Sequence, residues 1–341
     1  MKTFRPIVFL LILLFPLQGW AASASTKTAP DPRTMHFPPP EFHPRKAERR
    51  VLPNGMVLYL MEDHELPLID LQAMVRTGGI LNPPDKIGLA ALTGGVMRTG
   101  GTAHHTGDEV DALLDQMAAY LSVRVGSDAG FASLDILKKD FDAGLSLFAD
   151  ILMHPAFEEE KLTVAKNNAI EMIRRKNDYP SSIASREFAK MIYGPDHPLA
   201  RESTEATIRN VRRDDLVAFH DRYFAPNAVI LGVTGDFDRE EMVRKIEAAF
   251  AGWPQKPVAS LSVPPVPERF TPSVNMVSKE ISQTQLRIGH LGIKEDNPDF
   301  FALSVMDNIL GGSAFTSRMF KEVRTKRGLA YSVGSVMSPG N

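Results

Sequence analysis

The chain has 341 residues, 43% hydrophobic and 23% charged, enough for two cores of ordinary globular composition and unlike a disordered or fibrous chain. A formal net charge of −2 gives no electrostatic footprint for nucleic acid or an anionic membrane as partner. The absence of cysteine excludes disulfides, thiolate metal sites and lipidated cysteine anchors.

Lys2 and Arg5 precede an apolar run over residues 6–17, and the small residues Ala21, Ala22, Ser23 and Ala24 follow. Residues 1–24 therefore read as a secretory signal peptide, with cleavage after Ala24 preferred to Ala21 because Ala22 then fills the −3 position. The run is too short for a permanent span, so no stable membrane anchor is expected after cleavage. Export without cysteine fits a periplasmic location. Residues 25–47, with Pro38, Pro39 and Pro40, read as a Pro-rich leader. Arg45, Lys46, Arg49 and Arg50 read as a solvated approach to the first strand.

Residues 51–60 predict a hairpin turning at Pro53-Asn54-Gly55, and 68–75 a second strand. A glycine-weakened helix is expected over 88–96. Thr106 and Glu109 form a capping-box pattern ahead of a helix over 110–119. Strands over 121–125 and 132–136 are followed by helices over 139–152, 158–178 and 180–191. A helix over 213–223, a buried strand over 228–235 and an amphipathic helix over 239–250 close this part. Residues 254–272 hold six prolines and mark a linker. Beyond it come a strand over 283–290, a helix over 299–310, a glycine break and a helix to Lys326. That order repeats residues 68–101, as a second copy of one α+β unit cut short at Asn341 would.

Several stretches in order carry a family resemblance: Leu52-Pro-Asn-Gly-Met56, Gly88-Leu-Ala90, Ile151-Leu-Met-His-Pro-Ala-Phe157, Tyr193-Gly-Pro-Asp-His-Pro-Leu-Ala-Arg201, Gly232-Val-Thr-Gly-Asp-Phe-Asp238 and Gly311-Gly-Ser313 with Arg318-Met-Phe-Lys-Glu-Val-Arg324. From residue 51 onward the chain resembles the insulinase-like (pitrilysin) zinc peptidases. The resemblance implies an α+β fold of two homologous sheet-plus-helices units, the second truncated. It divides the chain into a first unit over 48–253 with a degenerate zinc site, the linker over 254–272, and the start of a second unit over 273–341.

In that family a His-x-x-Glu-His helix supplies two zinc ligands and a general base, and a Glu on a later helix is the third ligand. Neutral imidazoles at i and i+4 share a helix face, and an open fourth position lets zinc acidify a bound water. Matching Gly88-Leu-Ala90 to the start of that motif puts Ala91, Leu92, Thr93, Gly94 and Gly95 in its five places. Both histidines and the base are replaced, and Glu171 falls where the third ligand belongs. One carboxylate cannot hold zinc, so Glu171 reads as a surface residue.

No two of the nine histidines, at 36, 43, 64, 104, 105, 154, 197, 220 and 290, have i, i+4 spacing. His64-Glu65 begins a zinc-peptidase pattern, but Leu68 occupies the second histidine's place. His104-His105 reads as a polar loop ahead of a helix cap, and His197 as a structural loop residue. No metal ligand is expected in this chain.

Arg324 and Tyr331 match an Arg/Tyr pair that the family projects toward the catalytic half to hydrogen-bond substrate near the scissile carbonyl. Gly311-Gly312, Gly94-Gly95 and Gly100-Gly101 lack the residues of a phosphate or dinucleotide loop. The resemblance thus implies a non-catalytic, substrate-binding subunit of a periplasmic zinc-dependent peptidase, inactive alone and carrying no cofactor. Its partners would be a homologous subunit with an intact zinc motif, which holds the zinc, and peptide substrates. A peptide-binding scaffold without a hydrolytic partner and an active zinc metalloendopeptidase are the alternatives.

Overall fold

The computed structural model describes residues 35, 41–258, 262–266 and 271–340. The expected signal peptide, most of the expected leader and part of the expected linker lie outside these residues. The chain divides into two units, residues 1–45 and 46–341, and the described residues of the first have no regular structure.

Period-two alternation of apolar residues builds six strands: β1 (Glu48–Val51), β2 (Val57–Glu62), β3 (Leu68–Val75), β4 (Tyr120–Val125), β5 (Gly130–Leu137) and β6 (Val229–Gly235). They form one sheet in the order β1-β2-β6-β3-β5-β4. Only β2 and β6 run parallel; the other neighbours are antiparallel. Ile69, Leu71, Ala73 and Val75 of β3 face the core beside Val229, Leu231 and Val233 of β6. The opposite face carries Asp70, Gln72, Ser122 and Ser133 and stays partly open, as an antiparallel sheet tolerates.

The helices are α1 (Leu89–Thr99), α2 (Gly107–Met117), α3 (Phe141–Met153), α4 (Glu159–Arg174), α5 (Pro180–Tyr193), α6 (Glu205–Asn210), α7 (Arg213–Tyr223) and α8 (Arg239–Ala249); all but α5, which buries no residue, add side chains to the core on the apolar face. The capping box predicted at Thr106 is present: its hydroxyl accepts from the Glu109 N–H, and the Glu109 carboxylate accepts from the Thr106 N–H at 2.8 Å. His220 on α7 is buried and bonds the Leu152 carbonyl through Nε2 at 2.9 Å, so that ring nitrogen is the donor. Among the described residues no helix is long and apolar enough to cross a membrane.

Several expectations need correction. The hairpin's first arm begins at Glu48, placing Arg49 and Arg50 inside β1; Arg50 pairs with Glu48 and Glu240 instead of standing free in solvent. The short helix α6 was not expected; Thr204 caps it by accepting from the Thr207 N–H. Residues 283–290, expected as a strand, form no ladder, because no described strand lies beside them to accept their backbone bonds. Leu286 and Ile288 are exposed there. The predicted helix over 299–310 is α9 (Phe300–Asp307), which widens into a π turn at Asn308–Gly312.

On the open face Asp135 stands opposite Asp70 across the β3–β5 ladder. Burial, and then the Asp70 carboxylate, raise the Asp135 pKa above its ordinary value. Such a group favours the fold while protonated, and that contribution is lost as pH rises through the raised folded-state pKa. Asp135→Asn is expected to raise stability at pH 7 by a few tenths to about 1 kcal/mol, with the gain fading toward pH 4. Urea unfolding at both pH values checks this, and an equal effect at both removes the repulsion from the account.

Candidate functional site

The helix that the resemblance singles out is set by its approach. The Ala90 N–H at the start of α1 bonds the Asn82 side chain at 2.8 Å. The Asn82 and Ile80 carbonyls accept from Arg201 Nη2 at 2.7 and 3.1 Å. Burial pulls the Arg201 pKa below its ordinary value, although a guanidinium remains charged at any working pH. The stretch ending in Arg201 therefore fixes where α1 begins.

α1 lies on β4 and packs against α4 and α7. Leu92, Thr93, Gly94, Val96 and Met97 are buried, while Ala91 and Gly95 are exposed one turn apart on one face. A Cβ on Gly94 would stand 2.6 Å from the Val125 nitrogen and 2.9 Å from the Arg124 carbonyl carbon, whereas one on Gly95 would meet nothing within 4 Å. A carboxylate at position 94 has no room unless α1 moves off the strand. A methyl group and a hydrogen offer no lone pair at 91 and 95, so this helix does not fit a zinc ion. Glu171 is exposed on α4.

Arg324 and Tyr331 are brought together. The Arg324 guanidinium lies 4.3 Å from the Tyr331 ring centroid and 4.8 Å from that of Phe320, a stack of cation and aromatic faces. Arg324 belongs to a π turn, Phe320–Lys326, and Gly328 reverses the chain after it with φ +62. The Gly328 N–H bonds the Arg324 carbonyl and the Leu329 N–H that of Val323, both at 3.0 Å. Tyr331 remains 79% exposed, so its hydroxyl is presented to solvent.

The histidines separate into different environments. His197 stacks on Tyr193 and bonds the Pro264 carbonyl at 3.0 Å, as a loop tie. His64 bonds Asp236 at 2.6 Å. His104 is more than a loop residue: with His154 it converges on Asp150. Burial alone would raise the Asp150 pKa, but hydrogen bonds from Thr102, His104 and His154 outweigh it and leave the pKa lowered. Sequence reasoning missed this cluster because it sought paired histidines. The signal was Asp150-x-x-x-His154, with His104 arriving from a distant loop.

A family profile described as Peptidase M16 inactive domain matches residues 210–340. An uncharacterized zinc protease from Rickettsia bellii is 24% identical over 84% of this chain and 69% of its own length. The crystal structure of a peptidase M16 inactive domain from Pseudomonas fluorescens superposes with a TM-score of 0.74 at 25% identity, over 86% of this chain and 71% of that one. These comparisons support the insulinase-like family. The periplasmic protease PqqL from Escherichia coli shares the fold, with a TM-score of 0.58 at 19% identity over 66% of this chain and 26% of that one. The inactive-domain match, with protease relatives around it, supports a non-catalytic member of the insulinase-like family.

Gly94→Ala is expected to lower stability by about 1–3 kcal/mol, because the added methyl must push helix from strand. Gly95→Ala, on the same helix but in open space, should leave stability unchanged or raise it by up to about 1 kcal/mol. Urea unfolding of the two variants checks this, and equal effects would mean that α1 does not rest on β4 through Gly94.

Proposed function

We propose that this chain is the non-catalytic, substrate-binding subunit of a periplasmic zinc-dependent peptidase complex. One observation carries the reading: positions 91, 94 and 95 bear no metal-binding atoms, while Arg324 and Tyr331 are held together with the phenol exposed. A homologous partner with an intact His-x-x-Glu-His motif supplies zinc, base and water. This chain supplies Arg324 and Tyr331 as donors to the substrate carbonyl, where negative charge develops in the transition state. Peptide substrates lie extended along a sheet edge, where main-chain bonds hold them with little sequence selectivity.

Capture of the full-length chain from its own periplasm, with mass spectrometry of what co-purifies, tests the partnership. A homologue with the intact motif supports it; repeated capture of none at good yield leaves a peptide-binding scaffold as the better account. In the reconstituted pair, Tyr331→Phe and Arg324→Ala are each expected to lower kcat/KM for peptide cleavage by about 10²-fold or more. Unchanged cleavage in both variants would remove the pair from the chemistry.

A further inference from the structure

A separate polar cluster is built by the loop between α1 and α2 and the end of α3. Asp150 and His154 are four residues apart and so share one side of that helix end. Main-chain bonds then zip the loop onto the segment that follows. The Ala103 N–H bonds the His154 carbonyl at 2.9 Å, the Ala156 N–H that of Gly101 at 3.0 Å, and the Glu158 N–H that of Gly100 at 2.9 Å. The buried Thr102 hydroxyl accepts from the His104 and His105 N–H groups at 3.2 and 3.0 Å, which fixes the tip of the loop. The backbone, not a chance rotamer, carries His104 to α3.

As a result, Nδ1 of His104 lies 2.8 Å and Nδ1 of His154 3.1 Å from the same oxygen, Oδ1 of Asp150. The three ligand atoms are all within 4.8 Å of one another. The Asp150 side chain is only 12% exposed, and its other oxygen, Oδ2, is buried with no hydrogen-bond partner at good geometry, although the Thr102 hydroxyl is close by. A buried carboxylate oxygen with one poorly aligned hydroxyl beside it is under-satisfied, and a bound ion is one of the ways proteins relieve this.

We propose that His104, Asp150 and His154 bind one divalent transition-metal ion, zinc in the first instance. Two imidazoles and a carboxylate are the donor set for zinc and its first-row neighbours; calcium and magnesium take oxygen. Bonds of about 2.0–2.2 Å in a tetrahedron set donor atoms about 3.3 Å apart, so the two His–Asp spacings need open only by a few tenths of an ångström, and the two exposed imidazoles turn to set their own separation. Each neutral imidazole presents its Nδ1 lone pair once the ring proton sits on Nε2, a change of tautomer with no net loss of a proton. His104 and His154 side chains are 67% and 47% exposed, which leaves a path for the ion.

The fourth position opens into a cavity of about 750 Å³, also lined by His105, Met117 and Lys245, and takes water or a small anionic ligand. The site is distinct from the zinc position that the family resemblance assigns to α1. Metal there clasps the α1–α2 loop to α3, and the inference stands whether or not the chain works with a hydrolytic partner.

The test uses the untagged full-length chain, stripped with chelator and titrated with zinc chloride by calorimetry, with bound metal counted by mass spectrometry. One zinc per chain and a raised Tm are expected. His104→Ala and His154→Ala should each weaken binding by about tenfold or more. His105→Ala, an adjacent imidazole on the same cavity, should leave it unchanged. Cobalt(II) should give the visible absorption of a low-coordinate site in the wild type and lose it in His104→Ala. No bound zinc at millimolar metal, wild-type affinity in His104→Ala, or equal loss in His105→Ala would each overturn the assignment.

Discussion

The approach of α1 to the backbone of β4 is the constraint around which the rest of this unit is arranged. At Gly94 the helix touches the strand with no side chain between them. This depth lets Leu92, Val96 and Met97 reach the core and brings α4 and α7 against the outer sides of α1. Dispersion contacts at that range are individually small but many, and a single added methyl would open the whole interface. The same closeness leaves no volume for a carboxylate at position 94. The packing of α1 on β4 and the absence of a side chain at position 94 are therefore one feature of the helix and not two.

The polar scaffolding around this contact is economical. Arg201 ties two carbonyls of the preceding turn, and Asn82 from that turn bonds the first helical N–H. At the opposite edge of the sheet, Arg239 of α8 bridges Glu48 and Glu62, joining the helix to the hairpin arms β1 and β2. These last pairs are partly exposed, so they fix orientation more than they add stability. Burial of the apolar sheet face supplies most of the stabilisation.

The two side-chain constellations differ in how they are held. Arg324 and Tyr331 come from one short stretch, folded back by a residue with left-handed backbone, and their aromatic stack forms locally. His104, Asp150 and His154 depend on two distant segments meeting, and a backbone ladder across the Thr102–Pro155 bridge makes them meet. Local constellations survive as sequence patterns. Non-local ones leave almost no mark in spacing, because nothing in the residues near His104 announces what lies across the gap. Asp150 gave half of the signal through its i+4 relation to His154.

The sequence by itself determined the strands β2 to β6, the helices on their apolar face apart from the short α6, and the capping box at Thr106, because period-two and period-3.6 apolar patterns and local caps act within a few residues. The family resemblance, and not patterning, pointed to Arg324 and Tyr331 and to positions 91, 94 and 95 of α1. Only the tertiary structure decided that Gly94 is pressed on a strand while Gly95 faces open space, since identical residues differ there solely in what packs against them. It likewise decided that residues 283–290 remain unpaired, because a strand needs a neighbour for its backbone bonds and no residue in the segment supplies one. The meeting of His104 with Asp150 and His154 belongs to the same class: it rests on a long-range backbone register, which local sequence does not encode.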